Sequence, residues 1–253
     1  MEARIVSLYR HPVKGFTPER LDRADLVAGA CFPCDRLYAV EDGPSGFDPA
    51  APQHVSKMKF TVLAKIPAVA KARTAFDEAS GVLTARAEGR PDFAGDLRAA
   101  AGRAGFEAWL ADLLGDDAQG PLKLIEGPGA HRFMDSRSGY VSIVNLASVR
   151  DLSAKIGRDL DPLRFRANLH VEGWPAWVEN EMTGQTLSLG AAKAAVIKPI
   201  VRCAATHVDP TSAERDVDLV KALFDHYGHM LCGIYLNVTQ SGAVGEGDAV
   251  VAG

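Results

Sequence analysis

The sequence has no block of five or more like charges, and its 28 basic and 32 acidic residues give a formal net charge of −4. Proteins that bind nucleic acid or an anionic membrane usually carry a basic patch, which such a balance does not favour. No apolar run approaches the about 18 residues of a membrane-spanning helix. The first residues, MEARIVSLYRHPVKG, also lack a signal-peptide pattern. We therefore expect a cytoplasmic protein with no nucleic-acid partner and no membrane association.

Cysteine is scarce, because the 253 residues include only Cys31, Cys34, Cys203 and Cys232. In a reducing compartment so few cysteines are more often free, redox-active or metal-bound than paired in disulfides. Cys31 and Cys34 form a CFPC motif without the helix start that activates a thiol in redox proteins, so we interpret this motif as incidental.

Complete nucleotide-binding motifs are also missing. The glycines of GAVGEGD, near the C-terminus, are in the wrong order for a dinucleotide fingerprint, and HPVKG contains only part of a phosphate loop. The two cysteines of CFPC are too few for a four-cysteine iron–sulfur cluster. The sequence therefore indicates no built-in source of electrons.

The residues that are present predict a globular protein of two compact units, since 47% of them are hydrophobic and 24% charged. The first unit consists of strand-like segments separated by turn residues: ARIVSLYRHPV, RLYAVED, KFTVLAKI and GVLTARAEG. Apolar residues then recur at helical spacing between Asp96 and Asp116, and GDDAQGP resembles a linker. We predict a mainly β (α+β) protein with a β-rich N-terminal domain, residues 1–120, and a second domain, residues 121–253.

The second unit begins with a strand-like stretch, residues 122–126, followed by a helix over residues 146–156 that Gly157 is suited to end. LSLGAAKAAVIK predicts two strands with a turn at Gly190.

Two further elements are predicted near the C-terminus. Thr211 and Glu214 fit a capping box, and with Pro210 they predict a helix over residues 210–227. GIYLNVTQSGAVGEGDAVV predicts a hairpin around Ser241-Gly242.

The segment LRFRANLHV alternates apolar and polar residues, which is typical of a strand with one apolar face. Its polar face would carry Arg164, Arg166, Asn168 and His170. Such a face is either solvated surface or the wall of an anion site, because arginine presents a planar fork of donors to phosphate. The spacing alone favours solvated surface.

Cys203, in VRCAATHVDP, admits several interpretations. A free cysteine is most often buried filler, and the residue alone favours inert packing. The neighbouring charge of Arg202 instead favours a thiolate that attacks electrophiles or binds metal, although the two side chains share a site only if the strand ends there. A zinc site would need Cys203 with His207, His226, His229 and Cys232, whose spacing departs from common zinc motifs.

Several segments, in order, match one family over nearly the whole chain: HPVKG, DRLYAV, FMDSRSGYVSIVN, RFRANLHVEG, LSLGAAKAAVIKPIVRCAATHVDP and GIYLNVTQSGAVGEGDAV. The chain resembles the molybdenum-cofactor sulfurase C-terminal (MOSC) domain family, preceded by that family's N-terminal β-barrel domain. It is similar to the mitochondrial amidoxime-reducing component and its bacterial counterparts. The resemblance implies a MOSC-type β-barrel after a smaller β-rich domain.

The resemblance also assigns roles to residues. Cys203 matches the family's thiolate ligand of molybdenum and would be the catalytic residue and the metal ligand. The cofactor-binding residues it implies are Lys14, Arg36, Asp135, Ser136, Arg166, Asn168 and Arg202. Two positions depart from the family pattern, because Gly15 and Val201 replace serines. Lys57 and Lys59, in VSKMKF, occupy a region where the family often has an arginine, and they supply positive charge there.

The resemblance implies a molybdenum-cofactor (Mo-molybdopterin) oxidoreductase that reduces N-hydroxylated or N-oxide compounds and does not require pyridoxal phosphate. A small N-oxygenated molecule would be its substrate. Because the chain has no electron source of its own, a separate electron-transfer protein is expected as partner. Two alternatives remain: a non-catalytic cofactor or sulfur carrier with a persulfide on Cys203, and a protein with structural zinc.

Overall fold

The computed structural model describes residues 1–137 and 140–253, so Ser138 and Gly139 of the FMDSRSGY segment lie outside the described residues. The strands are β1 (Glu2–Arg10), β2 (Glu19–Leu21), β3 (Arg23–Leu26), β4 (Tyr38–Asp42), β5 (Arg73–Asp77), β6 (Val82–Arg86), β7 (Phe93–Asp96), β8 (Leu122–Glu126), β9 (Val141–Asn145), β10 (Leu169–Glu172), β11 (Thr186–Leu189), β12 (Ala192–Val201), β13 (Leu231–Gln240), β14 (Gly242–Gly245) and β15 (Ala249–Ala252). The α-helices are α1 (Ala100–Leu114), α2 (Leu146–Ile156) and α3 (Leu219–Tyr227).

A closed barrel of seven strands organises the second half of the chain. Its strand order is β10-β9-β13-β12-β11-β15-β1, and β1 pairs with β10 to close it. β9 and β10 pair in parallel, whereas the other barrel neighbours are antiparallel. β1 belongs to the predicted N-terminal domain, so the two predicted domains share this barrel. The prediction of a mainly β fold with a MOSC-type barrel is confirmed.

Alternating side chains of the barrel strands point inward and fill its core. A bulge after Ile5 shifts the register of β1, so that both Ile5 and Leu8 pack there with Leu169 and Val171 of β10, and all four are fully buried. In a small barrel the inward positions are occupied by side chains. Burial of each stabilises the fold by roughly 1.5–3 kcal/mol.

A second core lies in the first half of the chain. It is covered by two small sheets, in which β4 pairs with β8, and β6 lies between β5 and β7. Phe106, Leu110 and Leu114 of α1 recur every four residues, so they lie on one helical face and are buried against this core. The predicted helix before Gly115 is confirmed, as is the helix ended by Gly157, whose φ of 67° is left-handed. No helix in the described residues has both the length and the apolar character needed to cross a membrane.

The prediction of one continuous strand through LRFRANLHV is wrong. Pro162–Phe165 forms a 3-10 turn, Arg166 has a left-handed φ of 53°, and β10 begins only at Leu169. The side chain of Asp161 accepts a hydrogen bond of 2.8 Å from the backbone N–H of Leu163. This local cap together with Pro162 starts a turn, which overrides the alternating pattern.

The segment KFTVLAKI is also not a strand. Lys57–Lys59 forms a 3-10 turn capped by Ser56, and only a single bridge joins Phe60 to Glu41 of β4 among the described residues. The hydroxyl of Ser56 offers the backbone an alternative to sheet pairing.

Both predictions near the C-terminus need correction. The predicted helix over residues 210–227 begins only at Leu219, where the side chain of Asp218 accepts from the N–H of Lys221. Before this helix, the side chain of Asp209 accepts from the backbone N–H groups of Thr211 and Ser212 and so holds a turn. The predicted terminal hairpin is absent, because β14 pairs with β3 and not with β13.

Candidate functional site

A cavity of about 330 Å³ lies at the end of the barrel beside the first-half core. Seven of the eight predicted site residues line it: Lys14, Arg36, Asp135, Ser136, Arg166, Arg202 and Cys203. They come from the segment after β1, the segment before β4, the segment before β9, the turn before β10 and the end of β12. The structure therefore brings together residues that lie far apart in the sequence.

Cys203 is a free, half-buried thiol directly beyond the end of β12. The strand stops at Val201, and Cys203 precedes a 3-10 turn, Ala204–His207. The carbonyl of Cys203 accepts from the backbone N–H of Thr206 at 3.0 Å and from its hydroxyl at 2.9 Å, which fixes the backbone at the cysteine. Its Sγ atom lies 3.0 Å from Nζ of Lys57. The thiol is therefore positioned and has an ammonium group as partner.

Asp135 joins Lys14 and Lys57, two of the three lysines that line the cavity. Lys14 donates to Oδ1 of Asp135 and, at 2.8 Å, to the carbonyl of Phe133, while Nζ of Lys57 lies 3.6 Å from Oδ2 of Asp135. Burial alone would raise the pKa of Asp135, but Lys14 and Lys57 outweigh it and hold this pKa well below its usual range. Asp135 and Cys203 raise the pKa of Lys57 against the lowering effect of burial. Lys57 therefore stays charged at neutral pH.

Arg36 and Arg166 form the second charged group of the cavity, and both have left-handed backbone, with φ of 50° and 53°. Nη2 of Arg36 donates to the carbonyl of Arg166 at 3.1 Å, and Arg36 also pairs with the buried Asp35. Nη1 of Arg166 donates to the carbonyl of Phe16 at 2.7 Å. Burial lowers the pKa of Arg166 to about 10, and the charge of Arg36 adds to this effect. Because Asp35 pairs with Arg36 alone, the adjacent guanidinium of Arg166 keeps a positive charge that favours a bound anion.

Asn168 is not among the residues that line the cavity. Its Oδ1 accepts from the backbone N–H of Ser142 at 3.0 Å and from the Ser142 hydroxyl at 2.9 Å, and its Nδ2 donates to the carbonyl of Tyr9 at 3.2 Å. The side chain is fully buried. These bonds tie the start of β10 to β9 and β1, so Asn168 supports the barrel beneath the site.

Arg202 lines the cavity but directs its donors to backbone. Its Nη1 donates to the carbonyl of Phe165 at 2.6 Å and its Nε to the carbonyl of Cys232 at 2.7 Å. The guanidinium also lies 5.2 Å from the centre of the Phe165 ring. Arg202 therefore holds the wall of the cavity together and contributes positive charge to it.

Gly15 lines the same cavity, and the structure explains why serine does not stand there. Its φ is +92°, and a Cβ atom at this position would lie 2.4 Å from the carbonyl oxygen of Thr61. A side chain would therefore suffer both backbone strain and a clash with backbone, so the chain needs glycine here.

The sequence matches the models of two known domain families. A model described as the MOSC domain matches residues 130–251, and one described as the MOSC N-terminal beta barrel domain matches residues 2–121. The chain belongs to the MOSC family. The predicted family is therefore confirmed across nearly all of the chain.

Two curated relatives of this MOSC protein are called molybdenum cofactor sulfurase. The one from Caenorhabditis elegans is 33% identical over 114 residues, which are 42% of this chain and 16% of the relative. The one from Caenorhabditis briggsae is 35% identical over 132 residues, which are 51% of this chain and 18% of the relative. The chain thus spans less than a fifth of either relative.

Solved structures with detectable likeness are distant. The YuaD protein from Bacillus subtilis is 14% identical, with a TM-score of 0.46 over 99% of this chain and 94% of that one. YiiM from Geobacillus stearothermophilus is 21% identical, with a TM-score of 0.37 over 46% of this chain and 54% of that one.

Some residues of the MOSC site were missed or underrated from sequence. Lys57 was expected only to supply charge in place of an arginine, and its contact with Cys203 was not predicted. Tyr235 of β13 and Lys198 of β12 also line the cavity and were not predicted. They face each other across the β12–β13 pair. The sequence did offer one indication of these two residues, because Lys198 and Tyr235 are polar side chains within otherwise apolar strands.

The alternative of a zinc site does not fit the MOSC structure. In the residues that it describes, no three histidine, cysteine or acidic side chains are grouped to hold a metal ion. Cys232 is fully buried, Nε2 of His207 lies 3.1 Å from Asp218, and Nδ1 of His229 accepts from the backbone of Leu231. The five residues suggested by spacing therefore have separate roles.

Proposed function

We propose that the protein binds a molybdenum–pterin cofactor in the 330 Å³ cavity and reduces N-hydroxylated or N-oxide compounds. The observation that carries the proposal is the free thiol of Cys203, 3.0 Å from the ammonium of Lys57, in a cavity rich in basic side chains. Support also comes from the name of the curated relatives, molybdenum cofactor sulfurase. The proposal includes a separate electron-transfer protein as reductant and a cytoplasmic location.

The charge of the cavity fits such a cofactor. In the described part of the chain, its lining has seven basic side chains and one carboxylate, Asp135. Asp209 and Asp216 neutralise Arg164, and Asp35 pairs with Arg36. A positive surplus remains, which suits a phosphate group. A thiolate is the soft donor that molybdenum accepts from a protein. The cavity volume also lies in the range of about 300–1,000 Å³ typical of small-molecule sites.

The residues of the chain would divide the work. Cys203 would hold the metal through its sulfur, and the ammonium of Lys57 would fix the orientation of that sulfur. Arg36 and Arg166 would bind the phosphate. Lys14 would hold the carboxylate of Asp135 in place through their ion pair. When bound, the cofactor supplies two-electron oxygen-transfer chemistry. The overall change is R–NHOH + 2 e⁻ + 2 H⁺ → R–NH₂ + H₂O, so the partner must supply both electrons and the solvent both protons.

The test uses protein produced in a host that makes the pterin cofactor. We expect molybdenum and pterin in the purified protein, and turnover of an N-hydroxylated amidine with reduced methyl viologen as one-electron donor. The isolated protein should not oxidise a reduced nicotinamide. Cys203→Ser should abolish turnover at unchanged melting temperature and lose less pterin than activity, because the hydroxyl is a poor ligand while the phosphate contacts remain. Cys34→Ser is the matched control. Full activity in well-folded Cys203→Ser protein defeats the assignment.

A second candidate is a sulfur carrier, in which Cys203 accepts a sulfane sulfur as persulfide. The ammonium of Lys57 would stabilise a persulfide anion as well as a thiolate, and the relatives called sulfurase favour sulfur chemistry. Incubation with a persulfide donor, followed by intact mass analysis, would show one added sulfur atom that Cys203→Ser lacks. A carrier would form this adduct and show no turnover with any donor and substrate pair.

A further inference from the structure

A second, larger cavity of about 880 Å³ adjoins the Cys203 cavity. Lys14, Met134 and Ser136 line both cavities and so form the wall between them. Neither Cys203 nor Arg166 lines the larger cavity. Apart from Lys14, Met134 and Ser136 in the shared wall, the residues of the larger cavity therefore have no role in the proposed cofactor site.

The larger cavity has an excess of basic side chains. Arg10, Lys14, Arg23, Arg132 and Arg137 line it, against the acidic Asp25 and Glu78. Glu19 and Glu78 pair with Arg10, and Asp135 pairs with Lys14. Within residues 1–137 and 140–253, no ion pair is formed by Arg132 or Arg23. The cavity therefore contains positive charge that its own walls do not neutralise.

Arg132 is the half-buried member of this unpaired set. Its Nη1 donates to the carbonyls of Gly129 at 2.9 Å and His131 at 2.7 Å, while its Nε is buried without a hydrogen-bond partner among the described residues. A buried charged donor without a partner is unusual unless a ligand completes it. The guanidinium therefore has an unused donor for an anion.

The thiols beside Arg132 do not supply that anion. Burial raises the pKa of Cys31, and burial with Glu78 raises that of Cys34 to about 11, although Arg132 opposes both rises. Both thiols therefore stay protonated and uncharged at neutral pH. These thiols therefore leave the charge of Arg132 available to an anion from outside.

Aromatic rings provide the other part of the lining. Phe32, Phe60, Phe133 and Tyr140 line the cavity together with His131. The rings of His131 and Phe133 meet edge to face at 5.2 Å. Burial lowers the pKa of His131, with Arg132 adding to this, so the imidazole is neutral at neutral pH. Flat uncharged rings next to an arginine suit a ligand that combines a heteroaromatic ring with an anionic group.

We infer that the larger cavity binds a nucleotide, with its phosphate on Arg132 and its base among the aromatic side chains. Two sources would deliver this chemistry. In the first, the nucleotide is attached to the phosphate of the proposed cofactor and extends past Lys14, Met134 and Ser136 into the larger cavity. This source rests on the proposed function. A free nucleoside monophosphate would enter from solvent, and this source does not.

The first experiment measures binding to cofactor-free protein by titration calorimetry. AMP and GMP should bind, and adenosine and inorganic phosphate should each bind at least about tenfold more weakly, because each offers half of the recognised chemistry. Arg132→Gln should weaken AMP binding at least about tenfold, since one charge-assisted interaction is lost. Arg132→Lys should retain part of it.

Arg86→Gln is the matched control, because Arg86 is exposed on β6 and pairs with Asp92 away from the cavity. It should bind AMP like the wild type. Inorganic phosphate that binds as tightly as AMP would overturn the nucleotide assignment, and so would equal affinity in Arg132→Gln and Arg86→Gln at equal melting temperature.

The second experiment distinguishes the sources by mass analysis of the pterin extracted from loaded protein. A nucleotide released from the extract identifies the cofactor-linked source, whereas a plain pterin with AMP binding to the loaded protein identifies the free one. Absence of both pterin and molybdenum would defeat the proposed function, yet AMP binding would still decide this inference. No nucleotide in the extract and no binding of AMP or GMP would overturn it.

Discussion

The ammonium of Lys57 lies 3.0 Å from the sulfur of Cys203, although 146 positions separate the two residues in the chain. Lys57 comes from a 3-10 turn of the first half, and Cys203 from the end of a barrel strand. The surroundings of this sulfur are therefore built by both halves of the protein.

Lys57→Met should lower molybdenum content and turnover by about tenfold, because the variant loses a charged donor to the sulfur worth about 1.5–3 kcal/mol. Lys59→Met is the control, since Lys59 is exposed two positions away. The measurements are elemental analysis and single-turnover rates. Equal molybdenum content in both variants would remove the proposed role of Lys57 in holding the sulfur.

Arg166→Ala and Asn168→Ala should fail in different ways. Arg166 faces the cavity, so its loss should lower pterin retention while the free energy of unfolding changes little. Asn168 makes three hydrogen bonds inside the barrel, so its loss should lower the free energy of unfolding by about 2–4 kcal/mol. Pterin fluorescence and urea unfolding separate the two effects. A stable Asn168→Ala protein without pterin would restore Asn168 as a direct cofactor ligand.

Gly15→Ser should destabilise the protein, because the new Cβ would lie 2.4 Å from the carbonyl of Thr61. Gly184→Ser is the matched control, since Gly184 has a similar φ of +86° and no atom within 4 Å of the added Cβ. We expect Gly15→Ser to cost about 1–3 kcal/mol more than Gly184→Ser in urea unfolding. Equal costs would mean that the backbone near Thr61 yields without strain.

His170 should make stability depend on pH. Burial lowers its pKa from 6.5 to about 4. The folded protein therefore keeps the ring neutral where the unfolded chain takes up a proton. Its contribution to stability is present above about pH 6.5 and is lost as the pH falls towards 4, at roughly 1.4 kcal/mol per pH unit.

In His170→Phe the number of protons taken up on unfolding should fall by about one, so the free energy of unfolding should depend less on pH. Urea unfolding at pH 7 and pH 5 measures this change. His11 retains a second contribution in the variant, because burial and then Arg166 lower its pKa to about 3. An unchanged slope in His170→Phe would show that the ring is already charged in the folded protein.

The sequence predicted the elements that depend on local pattern. The strand-like segment at β1, the helical spacing of apolar residues in α1 and the glycine after α2 each reflect side chains that face one core or one cap. The strand predicted for LRFRANLHV was wrong because Asp161 and Pro162 start a turn there. A short-range cap determines the local backbone more strongly than an alternating pattern does.

The candidate site residues were assigned through family resemblance rather than through spacing, and the structure places seven of the eight around one cavity. From its neighbours alone, Cys203 favoured inert packing, because no local pattern reveals that β12 ends at Val201 or that Lys57 lies opposite. The role of Asn168 was not visible either, since its hydrogen-bond partners Ser142 and Tyr9 come from other strands. Contacts between distant segments depend on tertiary structure, which a local pattern does not encode.

The pairing of β1 with β15, in which Glu2 opposes Val251 and Ala3 opposes Val250, has a kinetic consequence. Strands this far apart must close a very long loop before they gain any contact, which slows folding. β1 can pair earlier with β2 and β10, so only its first residues, which pair with β15, must wait until β15 is synthesised. The edge of β1 that faces β15 should therefore be completed late in folding, after β1 has paired with β2 and β10.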